Sequence, residues 1–526
     1  MSRIVVAEKI SPSGIDRLRE DGHEIVDAVG WPREKLLGAL GSADVLLVRS
    51  GTKVDADLLA AAPRLAIVGR AGVGVDNVDM PAATRRGVLV INSPTGNVVS
   101  AVEHTFALLF ALLRRVVPAA SSLAAGKWDR ASFVGTELEG KVVGIVGVGQ
   151  VGSRVASRAQ AFGATVLGYD PFLPPEKARE IGVDLVALDD LLGRADIVTL
   201  HATATDSAKK MIDARALAAM KPGAFLVNVA RGSLVDLDAV DAALSSGRLG
   251  GAALDVFDPE PPDTAHPIFR RPNVVATPHL GASTQEAQER VAAQTVDAVR
   301  DALAGAAYVP AVNLPFRKLS DPGGAAAWMD LAERCARFLR GIADGLIRGI
   351  AVDAWNLPAE LLRPVALAAV KGALSGSSPE TVNLVNALSA ARDRGISIAE
   401  TSHEERGAYA ALLRVTAEIG GRARSVEGTI FGRGDARVVS IDGRAIEFRP
   451  RGVAIYVENE DVPGVVGLVG TILGGAGINI GEFALSRAEG GGPAVSVLSV
   501  DSPPPPEAVA ALERAGPIRT VRVVEW

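Results

Sequence analysis

The chain has 526 residues, and at about 150 residues per domain this length predicts three to four domains. A net charge of −6 and an aromatic content of only 4% speak against a nucleic-acid partner, because such proteins carry basic surfaces and stacking rings. The single cysteine, Cys335, excludes an intramolecular disulfide, and we interpret it as a small core residue of a helix. The first residues lack the pattern of a signal peptide, and no apolar run reaches the roughly 18 residues of a membrane span, so we expect a cytoplasmic protein without a membrane partner.

The first half of the chain alternates short apolar strands with helical patterns, which is typical of parallel α/β layers. Strands are predicted at 3–7, 45–48, 65–68 and 88–91, followed by a long apolar helix over 99–115. A second unit begins at Lys141, with strands predicted at 142–146, 165–169, 197–200, 225–229, 252–256 and 274–277. Six strands with intervening helices are enough for a complete doubly wound sheet. A helix from 284 to about 303 follows.

The second half of the chain is less informative until its last segment. Residues 313–315 and 320–324 have the composition of a linker, and the region up to about 450 mixes helix and strand without a recognisable catalytic constellation. Residues 452–526 predict strand, helix, strand, strand, helix, strand, with strands near 453–457, 478–485, 494–500 and 518–524. This order is typical of the ferredoxin-like βαββαβ fold.

The strongest local motif is a glycine fingerprint directly after the strand at 142–146. Gly147 permits the tight turn, Gly149 lets the backbone approach a pyrophosphate, and Gly152 lets helix and strand pack closely. Asp170 ends the next strand, where a carboxylate accepts hydrogen bonds from the ribose of NAD and repels the phosphate of NADP. An ordinary strand-end polar residue is the alternative for Asp170. In this context the motif predicts dinucleotide binding.

Three polar residues follow strands of the same predicted sheet, where ligands of open α/β sheets bind. Arg231, Glu260 and His279 each lie just beyond one strand. A histidine of near-neutral pKa takes a hydroxyl proton, a carboxylate orients it, and a guanidinium holds a substrate carboxylate. The set suits oxidation of an alcohol beside a carboxylate.

Each of the three residues also has a plain structural interpretation. His279 alone is more often structural, Arg231 has Asp236 as an alternative ion-pair partner, and Glu260 stands in a turn next to proline. Among the other histidines, His104 fits a satisfied core residue of an apolar helix, and His201 ends a strand that faces the cleft. The histidines do not show metal-ligand spacing, so no metal site is predicted.

The chain resembles the D-2-hydroxyacid dehydrogenase family in several segments: RAGVGVDNVD from Arg70, NSPTGN from Asn92, the glycine fingerprint, NVARGSLVD from Asn228, GAALDVFDPEPP from Gly251 and ATPHLGAST from Ala276. GKWDRASFVGTEL from Gly126 and TVNLVNALSAARDRGI from Thr381 extend the resemblance to the long-form, serine-pathway branch of that family. DVPGVVGLVGTILGGAGINI from Asp461 is similar to the turn, helix and strand of an ACT domain. The resemblance covers essentially the whole chain.

The resemblance implies an α/β fold in which a Rossmann-type doubly wound nucleotide domain, residues 99–283, is inserted in a flavodoxin-like substrate domain, residues 1–98 and 284–314. An α+β intervening domain, residues 315–450, and a ferredoxin-like ACT domain, residues 451–526, would follow. Long-form enzymes are associated with effector binding in these two C-terminal domains.

The resemblance also implies NAD-dependent oxidation of 3-phospho-D-glycerate to 3-phosphohydroxypyruvate, the first step of L-serine biosynthesis. His279 would be the acid/base, Glu260 its partner and Arg231 the carboxylate anchor. The residues implied to contact NAD are Gly147, Gly149, Gln150, Val151, Gly152, Asp170, Ala202, Val229, Ala230, Arg231, Asp255, His279, Leu280, Gly281 and Ala282. Those implied for the substrate are Arg49, Arg70, Gly72, Val73, Arg130, Arg231 and His279, with Arg130 reaching across a dimer. A solvated surface arginine is the alternative for Arg49, Arg70 and Arg130.

The ACT-like segment implies an L-serine effector bound near Asp461 and Asn479, at the interface of paired domains. The nearby acidic residues Glu458, Glu460 and Glu482 add negative charge that would weaken binding of an amino acid's carboxylate. A purely oligomer-forming role is therefore the alternative. Either role implies a homo-oligomer, a dimer or a tetramer.

Two other functions use the same core. Another D-2-hydroxyacid dehydrogenase acting on glycerate and hydroxypyruvate would need no such C-terminal extension. A non-catalytic, NAD-sensing binding protein would share the fold, because fold alone does not fix function. A regulatory amino-acid sensor with a vestigial core is a third hypothesis, which the intact glycine fingerprint disfavours.

Overall fold

Four β-sheets organise the chain in this computed structural model. The structure describes residues 1–305, 310–316, 319, 321–376, 381–404, 408–432, 434–487 and 492–526. The four sheets fall in the four predicted segments, and we propose the predicted domain boundaries of 1–98 with 284–314, 99–283, 315–450 and 451–526.

The first sheet has five parallel strands in the order β2-β1-β3-β4-β5. Its elements are β1 (Arg3–Val6), α1 (Pro12–Glu20), β2 (Glu24–Asp27), α2 (Arg33–Leu40), β3 (Val45–Val48), α3 (Ala56–Ala60), β4 (Ile67–Arg70), α4 (Met80–Arg85) and β5 (Leu89–Ile91). This is the flavodoxin-like order. The sequence did not predict β2, because this edge strand is short and none of its residues is buried.

The second sheet has seven parallel strands in the order β12-β11-β10-β9-β6-β7-β8. Its elements are α5 (Val98–Leu113), α6 (Val116–Ala124), β6 (Val142–Val146), α7 (Gln150–Ala161), β7 (Thr165–Tyr169), α8 (Pro175–Glu180), β8 (Asp184–Leu185), α9 (Leu188–Arg194), β9 (Ile197–Leu200), α10 (Ala214–Ala219), β10 (Ala224–Asn228), α11 (Leu237–Ser245), β11 (Leu249–Leu254) and β12 (Val274–Ala276). The strand order reverses between β6 and β9, so the sheet is doubly wound, as predicted. The strand β8, two residues long, adds one to the six predicted strands.

The chain then returns to the first sheet through α12 (Gln285–Leu303). A side chain at Gly69 of β4 would meet Val299 at 3.1 Å and Thr295 at 3.2 Å, so a glycine permits the close approach of this helix. Val291, Val296 and other apolar residues of α12 share a core with β1, β3 and β4. The second sheet is thereby inserted in the first domain, and a cleft lies between the two.

Helices α5 and α6 differ sharply in burial. Ten of the residues of α5 are buried, whereas α6 has no buried residue. Within the described residues, no single helix has the length and apolar character needed to cross a bilayer. The pair α5 and α6 meets that test only when both are counted together, with a bend of 64° between them.

The third sheet has six strands in the order β14-β13-β15-β16-β17-β18. Its unit comprises α13 (Pro322–Ile342), β13 (Ile347–Trp355), α14 (Ala359–Leu374), α15 (Ala387–Asp393), β14 (Ser397–His403), β15 (Leu412–Ile419), β16 (Arg422–Phe431), β17 (Asp435–Ile441) and β18 (Arg444–Phe448). The predicted linker at 320–324 is wrong, because Asp321 caps α13 and Pro322 occupies its first turn. Ser320 of that linker lies outside the described residues.

The fourth sheet is antiparallel, with the order β20-β21-β19-β22. Its elements are β19 (Val453–Glu460), α16 (Val465–Gly475), β20 (Ile480–Ser486), β21 (Pro493–Val500), α17 (Pro506–Glu513) and β22 (Ile518–Glu525). This is the predicted βαββαβ unit. One face of the sheet packs on α13, where Trp526 stacks on Phe338 and Tyr456 is buried. Cys335 lies in the same core, and burial raises the pKa of its thiol to about 12.

The packing of α14 on α13 leaves no room for a side chain at Gly372. A Cβ there would overlap the backbone carbonyl oxygen of Glu333, which has no side-chain freedom to give way. We expect Gly372→Ala to destabilise the C-terminal half by about 1–3 kcal/mol, measured by calorimetry as a lower midpoint of its thermal transition. The matched control is Gly470→Ala on α16, where no atom lies within 4 Å, and where alanine stabilises a helix by up to about 1 kcal/mol. Equal midpoints for the two variants would contradict the helix packing described here.

Candidate active site

The cleft between the first two sheets has a volume of about 1190 Å³. Its walls come from both domains, at the carboxyl ends of the parallel strands. The substrate-side wall includes Lys9, Arg49, Arg70, Gly72, Val73 and Asn92, and the nucleotide-side wall includes Val151, His201, Ala202, Val229, Ala230, Arg231, Glu260, His279, Gly281 and Ala282. Most of the predicted site residues therefore face one space.

The glycine fingerprint forms the turn between β6 and α7. Gly147 has φ +89°, and a side chain there would lie 2.6 Å from the backbone of Ala202. A Cβ at Gly152 would overlap the carbonyl oxygen of Gly147, whereas no atom lies within 4 Å of a Cβ at Gly149. The turn is thus packed closely on its inner side and open at Gly149, beside the N-terminus of α7. These residues fit the pyrophosphate of a dinucleotide.

Asp170 lies directly after β7, beside the same turn. Its Oδ2 accepts a hydrogen bond from the Val148 N–H at 2.9 Å, and its Oδ1 accepts one from the Phe172 N–H at 2.9 Å. Each carboxylate oxygen has further acceptor capacity, which suits the hydroxyls of a ribose. Asp170 also holds the glycine turn, a role that its sequence position did not reveal.

His279 follows β12 in a left-handed backbone conformation, with φ 55°. Such a conformation is costly for a residue with a Cβ and persists where the surroundings fix it. The His279 N–H donates to the carbonyl oxygen of Asp255 at 2.8 Å. The imidazole Nδ1 lies 2.7 Å from Oε2 of Glu260, and Oε1 of Glu260 accepts from the Phe257 N–H at 3.0 Å. Because a carboxylate only accepts, Nδ1 carries the hydrogen and Nε2 is the nitrogen that can exchange a proton with a ligand.

The electrostatics of this pair favour the protonated imidazole. The Glu260 hydrogen bond raises the pKa of His279, burial opposes it, and the charges of Glu260 and Asp255 raise it further, while Arg231 lowers it. Burial alone raises the pKa of the Glu260 carboxyl, but hydrogen bonds from His279 and Phe257 outweigh burial and hold it below its usual value. The pair can therefore take up a proton and stabilise the resulting imidazolium.

Arg231 also faces the cleft. Its Nε donates to Oδ2 of Asp76 at 3.0 Å, and its Nη1 donates to the carbonyl oxygen of Ala230 at 2.7 Å. The alternative partner considered for it, Asp236, instead accepts from Lys210 Nζ at 2.9 Å. Asp76 belongs to the substrate-side domain, so this ion pair spans the cleft.

The three candidate phosphate ligands are placed differently. Arg70 ends β4, and its buried Nε has no hydrogen-bond partner in the described structure. Burial and the neighbouring charge of Arg231 lower the pKa of Arg70 to about 10, so it stays charged at neutral pH. Arg49 lines the cleft as well. Arg130 is exposed in the segment after α6, and the structure of the single chain does not bring it to the cleft.

Asp255 is engaged within the chain, directly beneath the turn that carries His279. Its side chain is fully buried, and its oxygens accept from Thr277 Oγ1 at 2.6 Å, the Leu280 N–H at 2.7 Å and the Gly281 N–H at 2.8 Å. The carboxylate is thus used to hold the turn that carries His279. Its contact with NAD stays a prediction, and its contacts within the chain show that it supports the turn.

Several residues in or beside the cleft were not predicted from the sequence. Lys9 follows the carboxyl end of β1, so the rule that identified Arg231 and His279 would also have found it. Glu8 accepts backbone hydrogen bonds from Arg49, Gly51 and Thr52 and so shapes the loop after β3. Asp76 and Glu8 act through contacts distant in sequence, which no local pattern predicts.

The two candidate effector residues lie at opposite ends of the fourth sheet, because Asp461 follows β19 where that strand pairs with Pro493, whereas Asn479 precedes β20 where that strand pairs with Val500. The carboxylate of Asp461 accepts from Arg487 Nε at 2.8 Å, and Asn479 Nδ2 donates to Oδ2 of Asp501 at 2.8 Å. Both side chains are exposed and engaged within the chain. They do not form a shared site in the described structure.

Three sequence families match the chain in succession. Residues 106–281 match the D-isomer specific 2-hydroxyacid dehydrogenase, NAD binding domain, residues 325–442 the D-3-phosphoglycerate dehydrogenase intervening domain, and residues 453–517 the ACT domain. The second sheet is therefore an NAD-binding domain, in agreement with the fit of its glycine turn and Asp170.

Solved structures resemble the first part of the chain. A D-lactate dehydrogenase from Aquifex aeolicus complexed with NAD and lactic acid is 28% identical, with a TM-score of 0.51 over 58% of this chain and 96% of that chain. A glyoxylate reductase from Paecilomyes thermophila is 27% identical, with a TM-score of 0.54 over 57% of this chain and 95% of that chain. Both share the two-domain core.

Similar proteins also exist over the full length. A D-3-phosphoglycerate dehydrogenase from Mycobacterium tuberculosis is 41% identical over 526 residues, which cover 99% of each chain. One from Archaeoglobus fulgidus is 39% identical over 526 residues, covering 99% of this chain and 100% of the relative. The chain therefore belongs to the D-3-phosphoglycerate dehydrogenase family.

Proposed function

We propose that the chain catalyses the NAD-dependent oxidation of 3-phospho-D-glycerate to 3-phosphohydroxypyruvate, the first step of L-serine biosynthesis. The observation that carries this function is the hydrogen-bonded pair of His279 and Glu260 in a cleft that also holds Arg231 and Arg70. Full-length relatives named D-3-phosphoglycerate dehydrogenase support the substrate.

The residues of the cleft divide the chemistry among them. NAD, when bound, supplies a hydride acceptor next to the substrate carbon that carries the hydroxyl. His279 Nε2 accepts the hydroxyl proton, and Glu260 stabilises the imidazolium that forms. The Arg231 guanidinium binds the substrate carboxylate, exchanging it for Asp76, and polarises the oxygen that becomes a carbonyl. His201, whose pKa burial lowers, stays neutral in the nucleotide-side wall.

The cofactor contacts proposed here are the glycine turn with Gln150 and Val151, Asp170 at the ribose, and the cleft-facing residues Ala202, Val229, Ala230, Leu280, Gly281 and Ala282. Val151 and five of those six line the cleft, and Leu280 is 40% exposed beside them. The open backbone at Gly149 supports the placement of the pyrophosphate.

A phosphate dianion needs cations beyond the carboxylate anchor. Arg49 and Arg70, with Lys9 beside them, supply charge on the substrate-side wall, and the backbone at Gly72 and Val73 completes it. Arg130 would reach the phosphate only from a second subunit, because it lies away from the cleft of its own chain.

We further propose a homo-oligomer, a dimer or a tetramer, in the cytoplasm. Helix α6 has no buried residue although it is apolar, and the exposed side chains around it include Val116, Val117, Leu123, Trp128 and Val134. Exposed apolar surface of this kind is typical of a protein–protein interface. L-Serine is the proposed effector of the ACT domain near Asp461 and Asn479, and the local negative charge would weaken the binding of its carboxylate.

The substrate is tested by following NADH in both directions. Wild-type enzyme should strongly prefer 3-phosphoglycerate and 3-phosphohydroxypyruvate over glycerate and hydroxypyruvate, and millimolar L-serine should inhibit it. The control variant His279→Ala, which lacks the proposed proton acceptor, should lower kcat by about 10²–10⁴-fold. A preference for the unphosphorylated pair would identify a different D-2-hydroxyacid dehydrogenase. Binding of NAD without turnover of either pair would favour the NAD-sensing protein.

The proton acceptor is tested by Glu260→Gln. Because Glu260 raises the pKa of His279, its loss should lower that pKa and move the acidic limb of kcat/KM for oxidation to lower pH. The turnover at the optimum should also fall, since a glutamine orients the imidazole less firmly. Asp238→Asn is the control, because Asp238 bonds His266 at 3.1 Å outside the cleft. An acidic limb that stays in place would contradict the role of Glu260.

The ribose contact is tested by Asp170→Asn. The asparagine keeps one acceptor oxygen for the Val148 N–H, loses the acceptor for the Phe172 N–H and removes the charge that repels the phosphate of NADP. We expect weaker NADH binding and a loss of about tenfold or more in discrimination against NADPH, measured by fluorescence titration. Asp184→Asn, an exposed change on β8 of the same domain, should leave both affinities unchanged. An unchanged preference in Asp170→Asn would show that Asp170 does not face the ribose.

A further inference from the structure

The turn that carries His279 rests on helix α5, at Ser100 and His104. The Ser100 hydroxyl donates to the carbonyl oxygen of Gly281, and Ser100 is itself buried. His104 Nε2 lies 3.1 Å from Thr277 Oγ1 and 3.1 Å from Oδ1 of Asp255. One face of α5 thus contacts both the start and the end of the turn.

The hydrogen positions in this cluster follow from its buried carboxylate. Burial raises the pKa of the Asp255 carboxyl, but hydrogen bonds from His104, Thr277 and Leu280 outweigh burial and keep its pKa below the usual value. An ionised carboxylate only accepts hydrogen bonds. Thr277 Oγ1 therefore donates to Asp255, and His104 Nε2 carries a hydrogen that points at both oxygens.

The cluster bears directly on the backbone of His279. The carbonyl oxygen of Asp255 accepts the His279 N–H, and the carboxylate of Asp255 accepts the N–H groups of Leu280 and Gly281. These bonds hold residue 279 in its left-handed conformation. A donor that fixes the Asp255 carboxylate consequently fixes the direction of the imidazole.

We propose that His104 is a positioning residue for the dehydrogenase reaction, acting through Asp255 and Thr277 on the turn that carries His279, with Ser100 as its support on α5. The kinetic test of this proposal rests on the proposed function, because it measures the proposed reaction. Its second test, the stability of the turn, is independent of any substrate. A histidine that only filled space on α5 would change neither the kinetics nor the stability of the turn. His104 is 17% exposed and is bonded to the fully buried side chain of Asp255.

The variant His104→Phe removes the donor and keeps a ring of similar size, and His104→Gln returns an N–H near the position of Nε2. In His104→Phe we expect a fall in kcat of about tenfold or more, with KM for NAD changed less than about threefold. The groups that face His279 are Glu260, Asp255 and Arg231, and a turn held less firmly would weaken the Glu260 hydrogen bond that raises the pKa of His279. The acidic limb of the oxidation profile should therefore move to lower pH. His104→Gln should recover kcat and the profile in large part.

Hydrogen–deuterium exchange of the intact protein without substrate supplies the second readout. Peptides containing Leu280 and Gly281 should exchange faster in His104→Phe than in wild type, because their amides bond to Asp255. Thr277→Val, an isosteric change, should reproduce part of the effect if His104→Phe does not fold. Glu103→Gln, an exposed neighbour on α5, is the control and should change nothing.

The outcomes separate the two proposals. Wild-type enzyme that does not oxidise 3-phosphoglycerate overturns the proposed function, while faster exchange at 280–281 still supports the role of His104. Active wild type with unchanged kcat, pH profile and exchange in His104→Phe overturns the positioning role. A lower melting temperature with an unchanged pH profile and kcat per folded molecule would likewise overturn it, because that is the result of a merely structural residue.

Discussion

The hydrogen bond of 2.7 Å between His279 and Glu260 is the interaction on which the site depends. It joins the ends of β11 and β12, two neighbouring parallel strands, so its geometry is set by the sheet. Glu260 is itself fixed by the Phe257 N–H, and the His279 backbone by Asp255. These bonds offset the cost of a left-handed backbone at 279, and the imidazole then faces the cleft.

The parts of the site that the sequence predicted are those with local causes. The glycine turn requires small residues at fixed spacing, and Arg231, Glu260 and His279 stand where parallel strands end. The turn and these three residues could therefore be predicted without a structure. Asp76, Glu8 and the contact of His104 with Asp255 join segments far apart in the chain, and no spacing reveals them. The same holds for the fold: the buried strands of the first two sheets were predicted, whereas the edge strand β2 and the two-residue β8 were not. The six strands of the third sheet were predicted only as a mixture of helix and strand. The support that Asp255 gives to the turn of His279 was not predicted, because its partners on that turn and on α5 are found only in the folded chain.

The C-terminal half has a constraint of its own. The ACT sheet buries one face against α13, in a core that includes Phe338, Tyr456 and Trp526, so the third and fourth units fold around a common interior. Asn383, in the segment between α14 and α15, donates to the carbonyl oxygen of Gly87 at 2.7 Å, just before β5 of the substrate-side sheet. The C-terminal units are therefore in direct contact with the domain that carries Lys9, Arg49 and Arg70.

The charge of the cleft decides which anion suits it. Arg231 is balanced by Asp76, but Arg70 is half-buried beside Arg231, and its buried Nε has no partner within the described residues. A substrate with a single carboxylate would replace Asp76 at Arg231 and leave Arg70 uncompensated, which is costly for a buried charge. A second anionic group on the same molecule would lie against Arg70 and Arg49 and remove that cost. Under the proposed function, a phosphorylated hydroxy acid suits the two arginines at the ends of neighbouring strands β3 and β4, and Glu8 shapes the loop that carries Arg49 by accepting its backbone N–H.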